Sequence, residues 1–301
     1  NIKSKMTDLI KIAVDAMGGD NSPKKIIDGV VLNHLSNKNI FYKIFGDKNK
    51  INNLIGDKIN NEFYEVINTT DVVKSTDSPL EGAKRGKNTS MWLAIDSVKK
   101  KEADIVVSAG NTGALLVISK LNLKMIENID KPALSALWPN KKGMSVVLDL
   151  GANIECSAKN LLDFSIMGAS LYTSLYPGDK PNVGLLNIGS EELKGNETIK
   201  ETYQTLNDKK SENYNFSGYI EGNHLMDGNI NVIVSDGFTG NVALKTAEGT
   251  ANFITSELKK AMTGSIIGKI SSLLNISSLK KFKKRLDPRL YNGAIFIGLD
   301  S

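Results

Sequence analysis

The stretch Ser145-Val-Val-Leu-Asp-Leu-Gly-Ala-Asn153 shows the pattern from which the fold of this chain can be predicted. Its apolar first half is typical of a strand that is buried on both faces of a parallel sheet. Its glycine-containing second half leads to a helix that we expect over residues 158–176. A buried strand, a glycine-rich turn and a helix in this order form the repeating element of α/β proteins.

The same order recurs along the 301 residues. We expect strands over residues 10–15, 40–45, 62–67, 104–108, 144–150, 182–188, 215–220 and 230–235. We expect helices over residues 22–36, 79–101 with an interruption near Gly86, 112–127, 158–176, 192–206 and 240–262. Strands that alternate with crossover helices predict an α/β fold, a mostly parallel sheet with helices on both faces. Since no low-complexity linker divides the chain, we expect a single domain over residues 1–301.

Composition and charge narrow the class of protein. Hydrophobic residues make up 41% of the chain and charged residues 24%, as in globular domains. The single cysteine, Cys156, fits a reducing compartment. The sequence has no run of the roughly 18 apolar residues that a spanning helix needs, and residues 1–8 have no apolar signal core. We therefore expect a cytoplasmic protein.

The net charge of +5 favours acidic partners. Nucleic acid is not expected, because aromatic residues are only 6% of the chain and no basic run is interleaved with them. The many Asn and Lys residues can equally reflect an AT-rich genome. The charge by itself therefore selects no partner.

Five expected strands end in turns rich in Gly, Asn or Asp. The carboxyl ends of parallel strands share one edge, where ligands bind, and glycine turns that enter helices favour an anion. Polar candidates at these turns are Asn111, Thr112, Asn153, Lys194, Asn196, Thr239, Asn241 and Lys245. Taken singly, each glycine can simply make a turn, and each lysine can lie on a solvated helix face.

Several common motifs are missing. No Gly-x-Gly-x-x-Gly follows the first expected strand, and the stretch from Gly82 to Thr89 is one residue too short for a P-loop. His34, His224 and Cys156 do not form a catalytic triad or a metal motif by their spacing. An enzyme without its own nucleophile can still transfer a group when inorganic phosphate is the nucleophile, provided that the protein binds and orients it.

At this point the sequence resembles a known family. Ile12-Ala-Val-Asp-Ala-Met-Gly-Gly-Asp20 is similar to the opening signature of bacterial phosphate acyltransferases of the PlsX type, and Ser108-Ala-Gly-Asn-Thr-Gly-Ala114 is similar to the second. Further blocks match in order: Asp149 to Asn153, Gly184 to Glu192 with Lys194-Gly-Asn196, and Asp236 to Asn241 with Lys245. The resemblance covers essentially the whole chain.

The resemblance implies a fold like that of phosphotransacetylases and isocitrate dehydrogenase-like enzymes, a three-layer sandwich, in a homodimer. It implies the reversible transfer of a long-chain acyl group from acyl carrier protein to inorganic phosphate, giving acyl phosphate for phospholipid synthesis. It implies no cofactor and no metal. Acyl carrier protein is acidic, so it suits the basic charge of this chain.

The motifs and the resemblance together give the candidate site. The residues expected to act in catalysis are Lys194, Asp236 and Asn241. The residues expected to bind phosphate or substrate are Asp15, Gly18, Gly19, Asp20, Asn111, Thr112, Gly113, Asn153, Asn187, Gly189, Asn196, Thr239, Gly240 and Lys245.

The chain departs from the family pattern at three places. Asn223-His224 stand where the family has Arg-Asp, which puts a basic contact in doubt, and Tyr291-Asn-Gly-Ala294 replaces Tyr-Gly-Gly-Ala. The family pattern also continues beyond Ser301 with a segment that contains histidine, glycine and serine and with a closing helix. We therefore expect the protein to have a C-terminal segment that this sequence lacks.

The sequence pattern of residues 265–286 predicts an amphipathic helical segment. An apolar stripe at helical spacing, including Leu273 and Phe282, accompanies a cluster of lysines, a combination typical of helices that bind anionic membranes. The same stripe can instead pack in a dimer interface or a core. We expect peripheral contact with the inner face of the membrane.

Two other functions remain open from the sequence. One is a phosphotransacetylase-like enzyme that uses coenzyme A thioesters. The other, from a different class, is a non-catalytic, membrane-associated protein that binds acyl carrier protein.

Overall fold

The computed structural model describes residues 9–265, 271, 273–286 and 293–300. The chain divides into two compact units, which we call unit 1 (Asn1–Glu127 with Leu299–Ser301) and unit 2 (Asn128–Gly298). Each unit has its own sheet, so the prediction of a single sheet is wrong, although the α/β fold class is confirmed. The single domain over residues 1–301 stays a prediction.

Unit 1 contains a four-stranded, all-parallel sheet in the order β3-β2-β1-β4. Its strands are β1 (Ile10–Asp15), β2 (Ile40–Gly46), β3 (Tyr64–Asn68) and β4 (Ile105–Ser108). Its helices are α1 (Lys24–Ser36), α2 (Lys48–Ile55), α3 (Pro79–Lys84), α4 (Ser90–Lys99) and α5 (Thr112–Leu123).

Apolar cores lie on both faces of this sheet. Ile27 and Ile51 pack on one face, and Met91 and Ile118 pack on the other. Strand β1 is paired on both sides, and Asp15 lies opposite Ser108 at its end. The ends of β1 and β4 are therefore neighbours.

Unit 2 contains a six-stranded sheet in the order β10-β5-β6-β9-β7-β8. Its strands are β5 (Ala133–Asn140), β6 (Gly143–Leu148), β7 (Asn182–Asn187), β8 (Asn215–Glu221), β9 (Val232–Val234) and β10 (Ile295–Ile297). Its helices are α6 (Ala158–Leu175), α7 (Glu197–Asp208), α8 (Gly237–Thr263) and α9 (Ile276–Leu286).

The four strands β6, β9, β7 and β8 are parallel, whereas β5 and β10 are antiparallel to their neighbours. Helices α6 and α7 cover one face of this sheet, and α8 contacts the other. Because β6, β9 and β7 are parallel neighbours, their carboxyl ends and the turns that follow lie side by side.

Strand β5 was not predicted from the sequence. It forms a hairpin with β6 in which Asn140 pairs with Gly143, so the connection is only Lys141-Lys142. A two-residue hairpin connection is usually recognised in a sequence as Asn-Gly or Asp-Gly, but the connection here is Lys-Lys. Proline is also disfavoured within a strand because it cannot donate a backbone hydrogen bond, so Pro139 argues against a strand in this segment.

One predicted helix is interrupted as expected, and another begins later than expected. The interruption predicted near Gly86 is confirmed: residues 79–101 form two helices, α3 and α4, and Gly86 between them has a φ of +109°. The helix expected from residue 192 begins only at Glu197, because Gly195 has a φ of +95° and Asn196 caps the helix through Oδ1. The segment before Asn196 is therefore a turn.

The predicted membrane segment is described in part. Residues 266–270 and 272 lie outside the described residues, and α9 forms within the rest. Leu273 and Phe282 are exposed. No helix among the described residues is both long enough and apolar enough to cross a bilayer.

Candidate functional site

The turn after β1 in unit 1 is organised by a buried carboxylate. Asp15 is 1% exposed, and its Oδ1 accepts hydrogen bonds from Ser90 Oγ at 2.6 Å and from the amide of Met17 at 3.2 Å. Its Oδ2 accepts one from Ser108 Oγ at 2.7 Å. Burial raises the pKa of Asp15, and the bonds from Ser90 and Ser108 oppose that shift.

Two glycines allow the turns after β1 and β4 to touch. A side chain at Gly18 would come within 2.8 Å of the Gly110 amide nitrogen, and one at Gly19 within 2.5 Å of the Ala109 carbonyl oxygen. The Gly110 amide also donates to Ser108 Oγ at 3.1 Å. The two turns are therefore held in one arrangement by backbone contact, in which Asp15 has an organising position. The predicted role of Asp15, Gly18 and Gly19 in binding substrate stays a prediction.

The side chain of Asn111, at the start of α5, forms hydrogen bonds within unit 1. Asn111 Oδ1 caps the helix by accepting from Ala114 at 3.0 Å, and its Nδ2 donates to the Asp77 carbonyl at 2.7 Å. Gly113 packs against Pro79. Thr112, the first residue of α5, and Asp20, in the turn after β1, are exposed. At the predicted positions of unit 1, the side chains of Thr112 and Asp20 thus face solvent.

A second buried carboxylate, Asp149, organises the turns of unit 2. Its Oδ1 accepts from the amides of Leu134, Gly151 and Ala152 at 3.0, 3.1 and 2.9 Å. Its Oδ2 accepts from the amide and from Nδ2 of Asn153, both at 2.8 Å. Asp149 is 0% exposed, so these five bonds replace the water that a carboxylate needs.

The turn at Asp149 packs directly against the start of α8. The Gly237 amide donates to the Asn153 carbonyl at 2.8 Å, and a side chain at Gly240 would lie 1.9 Å from the Asp149 carbonyl oxygen. Only glycine can occupy position 240 without a shift of the helix. The ends of β6 and β9 therefore form one rigid piece of backbone.

Most predicted polar residues of this piece bind within it. Asn153 Nδ2 donates to the Pro132 carbonyl as well as to Asp149. Asp236 caps α8, accepting from the amide of Thr239 at its Oδ1 and from Thr239 Oγ1 at its Oδ2, both at 2.8 Å. Asn241, in the first turn of α8, is exposed.

The turn after β7 carries the predicted cation Lys194. Asn187 Nδ2 donates to the carbonyls of Gly189 and Lys194 at 3.2 and 3.1 Å, which folds the turn back on itself. Gly195, with its positive φ, packs against Asn187 Oδ1. The side chain of Lys194 is exposed. Its backbone is thus fixed while its ammonium group is accessible.

Three remaining residues have local roles in the structure. Lys245 Nζ pairs with Glu248 Oε2 at 2.8 Å along α8, and His224 Nδ1 lies 2.8 Å from Asp227 Oδ2 in an exposed turn. Cys156 is half-buried, and burial raises the pKa of its thiol to about 11. A thiol with this pKa is almost entirely protonated near neutral pH and is a poor nucleophile.

The structure places the predicted residues in two separate sets. Asp15 to Asp20 and Asn111 to Gly113 belong to unit 1, and the residues from Asn153 onward belong to unit 2. Within unit 2, the turns after β6, β9 and β7 are neighbours in the sheet. No group of three or more His, Cys, Asp and Glu that could hold a metal ion occurs among the described residues.

The predicted site residues do not include those whose hydrogen bonds and packing hold the turns in place. Asp149, Ser90 and Ser108 make the buried bonds, and Gly237 packs against both Asn153 and Asp149. A signal was available for Asp149: a carboxylate that directly follows a buried, largely apolar strand must find hydrogen-bond donors, and the glycine-containing turn after it supplies three amides.

Solved structures define the class of fold. The chain is similar to a phosphotransacetylase from Streptococcus pyogenes, with a TM-score of 0.59 and 15% identity over 83% of this chain and 84% of that one. It is also similar to the EutD phosphotransacetylase from Staphylococcus aureus, with a TM-score of 0.56 and 14% identity over 83% and 87%. This confirms the predicted phosphotransacetylase-like α/β architecture.

Sequence relatives define the family. The family described as "Fatty acid synthesis protein", the PlsX family, matches residues 10–301, and the chain belongs to it. A protein named phosphate acyltransferase from Pelagibacter ubique (strain HTCC1062) is 78% identical over 98% of this chain and 89% of that protein. Another of that name, from Rhodospirillum rubrum, is 44% identical over 98% and 84%. The predicted family and the prediction of an acyltransferase are confirmed.

Proposed function

We propose that this chain transfers a long-chain acyl group from acyl carrier protein to inorganic phosphate, giving acyl phosphate for phospholipid synthesis. A phosphate oxygen forms a bond to the thioester carbonyl carbon, and the carbon–sulfur bond breaks. Its electron pair leaves with the sulfur, which takes up a proton to become a thiol. Inorganic phosphate supplies the nucleophile, so no covalent intermediate on the protein is required.

The observation that carries this proposal is the turn arrangement at the carboxyl ends of β7 and β9. Lys194 and Asn241 are exposed on turns whose backbones are fixed by internal hydrogen bonds. The N-terminus of α8 adds a partial positive charge. A cation, an amide and a helix N-terminus on rigid backbone can bind an anion and stabilise an oxyanion. Relatives named phosphate acyltransferase support the same chemistry.

The choice of acyl carrier protein as donor rests on the family, and the charge of this chain is compatible with that donor. The net charge of +5 favours an acidic partner, and electrostatic attraction between the two proteins would raise the association rate. The family description, "Fatty acid synthesis protein", supports this choice. A cytoplasmic location follows from this donor.

The test is incubation with palmitoyl-acyl carrier protein with and without inorganic phosphate. We expect phosphate-dependent loss of the thioester and formation of acyl phosphate. Asn241→Ala should lower turnover more than about tenfold, since it removes a group that the transition state would use. Thioester loss that does not depend on phosphate would refute the proposal.

The same assay separates the two alternatives. Activity with short acyl coenzyme A alone would indicate a phosphotransacetylase-like enzyme. Binding of acyl carrier protein with no turnover of any thioester would indicate a non-catalytic binding protein.

We further propose that the protein is a homodimer and contacts anionic membrane through residues 265–286. Phe253 and Ile254 are exposed on α8, and an exposed apolar helix face suits an interface between copies. Leu273, Leu274 and Phe282 are exposed on the segment that carries the lysine cluster. Such a helix binds the interface by apolar burial and charge together.

Replacing Leu273 with Glu tests the membrane contact. We expect weaker sedimentation with vesicles that contain anionic lipid, while turnover of soluble substrate persists. The matched control is Leu35→Glu, since Leu35 is similarly exposed on α1. Unchanged vesicle binding by the Leu273 variant would remove this segment from the membrane contact.

A further inference from the structure

Unit 2 exposes large apolar side chains on the same turns that carry its polar candidates. Ile154, Ile188, Leu193, Phe238 and Val242 are between 52% and 86% exposed. We call these five residues the apolar rim. Scattered exposed apolar side chains are ordinary in soluble proteins, but a group of them beside polar functional groups marks a binding surface.

The order of strands places the rim along one edge of the sheet. Ile154 follows β6, Phe238 and Val242 follow β9, and Ile188 and Leu193 follow β7. These three strands are parallel neighbours, with β9 in the middle. Since neighbouring strands lie about 5 Å apart, the rim spans about 10 Å of the edge, apart from the reach of its side chains.

Hydrogen bonds hold the first part of the rim together. Ile154 follows Asn153, whose carbonyl accepts from Gly237 at 2.8 Å, and Phe238 follows Gly237. Ile154 and Phe238 are therefore each adjacent in sequence to a residue of this hydrogen-bonded pair. The backbone beneath them is part of the rigid piece that Asp149 organises.

The α8 part of the rim surrounds a polar candidate. Phe238, Asn241 and Val242 are at positions i, i+3 and i+4 of α8, so they share one helix face, and all three are exposed. In the turn after β7, Leu193 directly precedes Lys194. At both places an apolar side chain lies beside a group that can bind an anion.

We propose that the apolar rim binds the acyl chain of the acyl donor, next to the polar groups that bind phosphate and the reacting carbonyl. This inference rests on the proposed function, because it assigns a binding surface to the acyl substrate of that reaction. The substrate is an apolar chain that ends in a polar thioester. The rim likewise places apolar side chains next to two polar groups, Lys194 and Asn241. Burying the chain on the rim removes apolar surface from water on both partners.

The test compares long and short acyl chains on one carrier. Binding of palmitoyl- and butyryl-acyl carrier protein is measured at equilibrium without phosphate, using wild type and the double variant Ile188→Ser/Leu193→Ser. We expect the variant to weaken palmitoyl binding by roughly tenfold, because it removes one to two aliphatic side chains that the bound acyl chain would bury. Butyryl binding should change less than about twofold, since a short chain contacts little of the rim.

The matched control is Leu175→Ser. Leu175 is 44% exposed at the end of α6, a crossover helix that returns the chain to the opposite edge of the same sheet. Leu175→Ser should leave both binding constants unchanged. Ile154→Ser provides a second rim variant on a different turn, and it should weaken palmitoyl binding in the same selective way.

Several outcomes would overturn the inference. Equal affinity of wild type for both chains, or equal loss of both in the variant, would show that the rim does not bind the chain. A change of oligomeric state or of vesicle binding without a change in chain preference would assign the rim to a second copy or to a membrane. The binding readout is separate from turnover, so absent turnover with selective loss of palmitoyl binding would refute the proposed function and support the rim.

Discussion

Replacing Asp149 with Asn tests whether the buried carboxylate holds the turns of unit 2 together. The substitution keeps the size of the side chain and converts one acceptor oxygen into an NH₂ donor. If the amide oxygen takes the place of Oδ1, the amides of Leu134, Gly151 and Ala152 keep their acceptor. The new NH₂ group then faces two donors of Asn153, its amide and its Nδ2.

The loss of stability expected for Asp149→Asn can be estimated from these hydrogen bonds. Two hydrogen bonds to the buried Asp149 carboxylate are lost, and the two donors of the half-buried Asn153 are left facing a third donor. A hydrogen bond to a charged group contributes about 1.5–3 kcal/mol. Since Asn153 Nδ2 keeps the Pro132 carbonyl as an acceptor, we expect Asp149→Asn to lower the free energy of unfolding of unit 2 by about 2–5 kcal/mol. That is a large share of the about 5–15 kcal/mol by which proteins are usually stable.

The assay is urea unfolding followed by the fluorescence of Trp138. This side chain is buried in unit 2, and the other tryptophan, Trp92, belongs to unit 1. A Trp92→Phe background therefore makes the signal specific to unit 2. Native-state hydrogen exchange provides a second measurement, because the amides of Gly151, Ala152 and Asn153 donate directly to Asp149.

The control is Asp130→Asn, which removes an exposed carboxylate paired with Lys159 at 3.0 Å. An exposed ion pair contributes little, so the urea midpoint should not move. An Asp149→Asn variant that unfolded at the wild-type urea midpoint would show that this carboxylate does not hold the turns together. Exchange of the Gly151, Ala152 and Asn153 amides no faster than in the control would show the same.

Three further predictions concern single side chains. Lys194→Ala should lower phosphate-dependent turnover more than about tenfold without moving the urea midpoint, because an exposed cation is lost from a fixed turn; Lys209→Ala is the control, and wild-type turnover would remove Lys194 from the site. His34 is 4% exposed, and burial lowers its pKa from the ordinary value of 6.5, so the folded state binds fewer protons than the unfolded state below that pH. Stability should therefore be fully present above pH 6.5 and fall as the pH drops below it, and His34→Leu should flatten that slope in urea midpoints measured from pH 7.5 to 5. Because the pKa of Cys156 is raised to about 11, its thiol should react with iodoacetamide at pH 8 far more slowly than a free thiol, and Cys156→Ser should remain active.

Much of the secondary structure could be predicted from local patterns. Strand β1 has the predicted bounds, Ile10 to Asp15, because its apolar run ends at a polar, glycine-rich turn. The helix expected at residues 158–176 is observed over Ala158–Leu175, where Ser157 and Asn160 form a capping box. Strand ends and caps depend on neighbours in the chain, so the sequence carries their signal directly.

The partition of the strands could not be predicted in the same way. The alternation of strands and helices predicts parallel pairing but does not say which strands become neighbours. The five glycine-rich turns were expected on one sheet edge. The structure divides them between two sheets, with the turns after β1 and β4 in one and the turns after β6, β7 and β9 in the other. Long-range pairing decides this, and no local pattern encodes it.

The chemistry of the turns shows the same division. Sequence patterns were sufficient to identify the turns rich in glycine and asparagine, the family and the candidates Lys194 and Asn241, because turn composition and motif order are local properties. The fold was needed to show that the side-chain amide of Asn111 donates to the distant Asp77 carbonyl and that the side-chain amide of Asn153 donates to Asp149. It also showed that Asp149, which belongs to a matching family block but was not predicted as a site residue, holds the turn after β6 in place. A buried polar side chain must form hydrogen bonds within the protein, because water cannot reach it. Which side chains are buried depends on distant parts of the chain that come together only in the fold.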